Sequence, residues 1–93
     1  MFIGSAKVYL TAEWVYSLKE KRMVIKSIME RMRHKFNIAV AEIEKQDVHQ
    51  SLVIGFVCLS NERAHAETMV ENVLRFIETH TDAVVDEVVT EIL

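Results

Sequence analysis

The sequence contains no proline and only two glycines, Gly4 and Gly55. No stretch therefore reads as a flexible linker or a low-complexity tail. The two glycines are far apart, so there is no glycine-rich loop to cradle a nucleotide phosphate. A single cysteine, Cys58, excludes an internal disulfide and points to a reducing compartment. With no second cysteine, and no i, i+4 pair among His34, His49, His65 and His80, the chain offers no metal-ligand set. No apolar window approaches the length that spans a membrane. The opening MFIGSAKVYL lacks a basic leader and is interrupted by Lys7, so it does not read as a signal peptide. These absences describe a soluble, cytoplasmic chain with no membrane contact and no evident cofactor. Its 93 residues, 51% of them apolar, suit one domain over 1–93 with a modest core.

The net charge of −3 hides an asymmetry. Residues 17–36 hold seven of the eleven Lys/Arg against two acids, Glu20 and Glu30, a local charge of +5. The remaining four bases and twelve acids make −8. A general polyanion binder is disfavoured, but one basic surface is left as a docking site.

Residues 2–13 alternate, with Phe2, Gly4, Ala6, Val8, Leu10 and Ala12 on one face, which predicts a strand with one buried side. Ser17 then precedes Leu18-Lys19-Glu20, a Ser-x-x-Glu capping box. Leu18, Ile25, Ile28, Met29, Met32 and Phe36 gather on one face of the helix that follows, which Asn37 ends. IAVAEIEK is a short strand in which Ile43 has the wrong parity unless Ala41-Glu42 carries a bulge. SLVIGFVCLS is apolar on both faces and reads as a central strand. Ser60 or Asn61 caps a second helix with Ala66, Met69, Val70, Val73, Phe76 and Ile77 inward and acids outward. AVVDEVVTEIL is a final strand. The order βαββαβ predicts a ferredoxin-like α+β sandwich: a four-stranded antiparallel sheet, order 4-1-3-2, with two helices on one face and the other face open.

SLKEKR at the first helix, KFNIAVAEIEKQD through the second strand, SNERAH at the second helix and VLRFIE at its end resemble the YlxP family, small bacterial proteins classed as a domain of unknown function. The resemblance runs over the whole chain and implies a ferredoxin-like fold. The family's genes commonly lie among translation genes, which implies a role near the ribosome. Tyr16 and His49 depart from the family's pattern, which often has His or Gln at the first position and Trp at the second.

Three surfaces are candidates for function. YSLKEKR, residues 16–22, crowds Lys19, Lys21 and Arg22 at the positive end of a helix dipole, where each exposed cation costs about 0.3–1 kcal/mol. With Lys26 and Arg33 these residues suggest contact with RNA phosphates, ribosomal RNA or a ribosomal protein being the partner implied by the resemblance. The competing reading is a solvated face in which Glu30 pairs with Lys26 and Arg33. The open sheet face is the second surface. It suggests a homodimer, with Ile3, Tyr9, Leu52, Ile54 and Phe56 as interface candidates, and with it an alternative function, a homodimeric small-ligand-binding regulatory module of the same architecture whose ligand sits at the dimer interface. IGFVCL also partly echoes the core of RNA-recognition motifs, with Phe56 and Tyr9 as stacking aromatics, although the basic residue expected before the glycine is Ile54. The third is Asp47 with His49, an acid–base pair in a turn that belongs to an enzyme reading. No catalytic constellation supports it, and the expectation is a non-enzymatic protein.

Overall fold

The structure, a computed structural model, describes residues 1–44 and 48–93. Six elements follow in order: β1 (Phe2–Thr11), α1 (Leu18–Lys35), β2 (Ala39–Glu44), β3 (Ser51–Ser60), α2 (Arg63–His80) and β4 (Val84–Ile92). They form one antiparallel sheet in the order β2-β3-β1-β4, the predicted topology read from its other edge. The ferredoxin-like sandwich is therefore the fold of this chain.

The alternation of β1 becomes the sidedness of the whole sheet. Gly4, Ala6, Val8 and Leu10 are buried, and each pairs directly with Cys58, Phe56, Ile54 and Leu52 in turn. Directly opposed residues in an antiparallel pair share a face. Gly4 identifies that face: a Cβ added there would lie 2.7 Å from Val70 Cγ2 and 3.1 Å from the Ala66 carbonyl, both in α2. The helices therefore cover the row Leu52, Ile54, Phe56 and Cys58. The open face carries Val53, Gly55, Val57 and Leu59, opposite Tyr9, Lys7, Ser5 and Ile3.

This corrects three interface candidates. Leu52, Ile54 and Phe56 are at most 2% exposed beneath the helices and have no surface to offer a partner. Ile3 and Tyr9 do lie on the open face. The burial of Phe56 also removes the second stacking aromatic of the RNA-recognition-motif reading.

Two local expectations shift. The bulge in β2 falls between Glu42 and Glu44, so Glu42 keeps the helix-facing parity of Val40 while Glu44 pairs with Val53. Ile43 then folds over Gly55, its Cδ1 occupying the space where a Gly55 Cβ would come within 2.8 Å. The N-cap position of α2 is Glu62, with no side-chain capping bond, and Ser60 Oγ instead accepts from the Glu62 N–H at 3.1 Å.

α1 lies against β2, and α2 against β1, β3 and β4. Phe36, just past α1, meets Phe76 of α2 edge-to-face, with ring centroids 5.4 Å apart, and ties the helices together at that end.

The two glycines predict different tolerances. Gly4→Ala drives a methyl into the Ala66 backbone and is expected to cost about 1–3 kcal/mol. Gly55→Ala meets only the movable end of Ile43 and is expected to cost less. Denaturant unfolding of the two variants checks this order, and an equal or reversed order contradicts the close approach of α2 to Gly4.

Candidate functional site

α1 begins as its sequence predicts. Ser17 is extended, its Oγ accepts from the Glu20 N–H at 3.1 Å, and its carbonyl accepts from the Lys21 N–H at 3.0 Å. The cations that follow then separate into three groups.

Lys21 leaves the surface. It lies on the buried arc with Ile25, Ile28 and Met32, and only 1% of it is exposed. Its ammonium donates to the Val48 carbonyl at 2.7 Å and lies 3.3 Å from Glu42 Oε2. Glu42 Oε2 is itself buried and accepts no well-aligned hydrogen bond among the described residues, so this contact is an ion pair first. Lys21 was expected among the anion-binding residues. Its burial with a carboxylate and a carbonyl corrects that assignment: it is a core cation holding α1 to β2 and to the connection that follows.

Arg31 lies on the flank toward α2, donating to the His80 carbonyl at 2.8 Å and to Ser27 Oγ at 3.1 Å. This is where the neighbouring helix takes up positive charge.

Lys19, Arg22, Lys26 and Arg33 fall within roughly 60° of arc on the other flank and cover roughly 20 Å of helix length. All four are exposed. Among the described residues, Lys19 and Arg22 make no ion pair. Lys26 reaches Glu30 Oε1 only at 4.0 Å, with both side chains mostly exposed, a contact worth little. Arg33 donates one nitrogen to the Val40 carbonyl at 3.1 Å, covering part of the edge strand β2, and keeps further donors for solvent or a ligand. The acids of α2 do not neutralise this flank, which faces the β2 edge instead.

The open sheet face holds a trough of about 490 Å³ crossing all four strands. Ala39, Ala41, Gly55 and Ser5 form its low floor, with Ile43, Val57 and Val89 standing beside it. Lys7, the cation among the described residues that line it, is bound to Glu44 at 2.7 Å. This bond, helped by the Tyr9 hydroxyl, raises the Lys7 ammonium above its ordinary range.

Burial beneath α2 pushes the Cys58 thiol up, which disfavours the thiolate a nucleophile needs. His49 is exposed, and its expected partner Asp47 lies outside the described residues. Among the described residues no group of three or more His, Cys, Asp or Glu is placed to hold a metal, and no helix is long and apolar enough to cross a membrane.

If Lys21 and Glu42 are mutually compensating, removing one must hurt more than removing both. Lys21→Met is expected to cost about 2–4 kcal/mol, and Lys21→Met with Glu42→Leu to recover most of that loss. A double-mutant cycle by chemical denaturation measures it, and additive losses contradict the pairing.

Comparisons with known proteins agree with this architecture. In solved structures, the de novo designed protein Foldit4 matches over 99% of this chain and 94% of its own, with a TM-score of 0.51 and 18% identity, a likeness of fold alone. The uncharacterised protein YlxP of Bacillus subtilis (strain 168) is 41% identical over 63 residues, 68% of each chain. The family model described as a protein of unknown function, DUF503, matches residues 3–90. The chain therefore belongs to the DUF503 family, to which its relationship with YlxP also points.

Proposed function

We propose that this protein is a non-enzymatic binding module that contacts the phosphates of a folded RNA through the outer flank of α1. The observation that carries the proposal is that Lys19 and Arg22 stay exposed and form no ion pair among the described residues, although the chain is acidic as a whole. Lys26 and Arg33 extend the same flank by three turns. Lys21 is not part of it. Ribosomal RNA is the partner implied by the translation genes that commonly surround the family's own, and a role as an accessory factor of the translation apparatus follows from that partner.

A second reading, a small-ligand regulatory module, draws on the trough of the open face. It requires thermal stabilisation by a metabolite and no dependence on α1.

Four phosphate contacts predict a salt dependence of log K on log[salt] with a slope of about −3 to −4. Lys19→Glu with Arg22→Glu is expected to weaken binding to purified ribosomal subunits and to reduce the slope by about 2. A salt-insensitive interaction, or unchanged binding by the double variant, refutes the proposal.

A further inference from the structure

We infer that the cleft beside the start of α1, lined by Tyr16 and His49, holds an unpaired base of the RNA whose phosphates α1 contacts. The inference rests on the proposed function and narrows the class of RNA: one with bases free of the stack, as in a loop or a bulge.

Two connections form the cleft. The one from β1 to α1 supplies Val15 and Tyr16, and the one into β3 supplies Val48, His49 and Gln50, with Ser51 opening the strand. The space between them is about 480 Å³, a size typical of sites for small groups. Val15 is fully buried and forms its floor. Gln50 and Ser51 add an amide and a hydroxyl, groups able to hydrogen-bond a base edge, to a lining that is otherwise apolar or aromatic.

The walls are held in place within the chain. The Ala12 N–H donates to the Gln50 carbonyl at 2.9 Å, and Gln50 Nε2 donates to the Glu13 carbonyl at 3.0 Å. The Lys21 ammonium holds the Val48 carbonyl at 2.7 Å, so the buried lysine ties the His49 side of the cleft to α1. A site fixed in this way loses little freedom when it is occupied.

The two rings are unengaged. Tyr16 is 75% exposed and His49 is exposed, and among the described residues neither makes a hydrogen bond or a ring contact. One exposed tyrosine is ordinary surface. Two such rings lining one fixed cleft offer stacking faces, and unpaired bases stack on Tyr and His. Charge divides the nucleotide between cleft and helix. Tyr16 immediately precedes the N-cap Ser17, and Lys19 and Arg22 follow on the first two turns of α1. Their flank faces the β2 edge, the side on which Val48 and His49 continue the chain. Glu13 and Glu20, exposed on the same stretch, disfavour a phosphate inside the cleft. The uncharged base therefore suits the cleft, and its phosphates suit the cations.

Binding to purified ribosomal subunits, and to protein-free ribosomal RNA extracted from them, tests this. Tyr16→Ala is expected to weaken both roughly 5- to 150-fold, with the salt slope unchanged because no phosphate contact is lost. Tyr16→Phe should bind as the wild type does, and His49→Ala should weaken binding in the same sense. Tyr16→Ala should unfold at the wild-type denaturant concentration, because its side chain is exposed. A single-stranded oligonucleotide should compete better than a duplex of equal charge. Wild-type affinity in Tyr16→Ala, or equal competition by the duplex, overturns the base cleft and leaves phosphate binding by α1 standing. Unchanged binding by Lys19→Glu with Arg22→Glu defeats both. A loss in Tyr16→Phe as large as in Tyr16→Ala assigns the contact to the hydroxyl, and a loss confined to intact subunits assigns it to a ribosomal protein. Either result overturns the inference, as does a free mononucleotide that binds as tightly as the oligonucleotide.

Discussion

The register of β1 against β3 is the constraint from which the rest of the molecule follows. Once Gly4 pairs with Cys58, every second residue of the two central strands is committed to the helices or to the open face. The core then assembles from small residues where α2 comes close and from larger aliphatics elsewhere. The edge strands inherit the same parity. That is how Glu42, a charged residue, comes to lie beneath α1, and how the bulge after it returns Glu44 to the open face beside Lys7.

The carboxylate at Glu42 gives Lys21 its place. A lysine in the first turn of a helix ordinarily reaches into water and opposes the dipole. Here its ammonium turns inward to a carboxylate and a backbone carbonyl. Such a contact adds little stability compared with an apolar pair, but it is intolerant of losing one partner. It joins α1 to β2, and the outer flank of α1 faces away from the acids of α2. The placement of a buried charge and the exposure of a basic surface are therefore linked through one helix.

Much of the fold was legible because period and spacing are local properties. The alternation in β1, the Ser17 cap and the apolar stripe of α1 all appear where the sequence places them. The exposed face of β3 was not legible, because Leu52-Val53-Ile54 and Phe56-Val57-Cys58 are apolar on both sides and only the glycine opposite Cys58 reveals which side a helix covers. Lys21 was misplaced for a related reason: its charge reads as surface, although its spacing from Ile25, Ile28 and Met32 matches the buried arc. Glu42 shares the parity of Val40, so a lysine and a glutamate at core-facing positions were the signal of a pair. The separation of the remaining cations depended on where α2 lies, which no local pattern encodes.

The crowded helix start is thus narrower in meaning than its three cations suggest. One of them belongs to the core, and the two left exposed gain support from Lys26 and Arg33 along a flank turned toward open solvent. Differential acetylation read by mass spectrometry, with and without purified ribosomal subunits, tests that flank most directly. Slower modification of Lys19 and Lys26 is expected, with Lys7 and Lys35 unchanged. Equal reactivity of Lys19 and Lys26 in the two conditions would contradict a phosphate-binding role for α1.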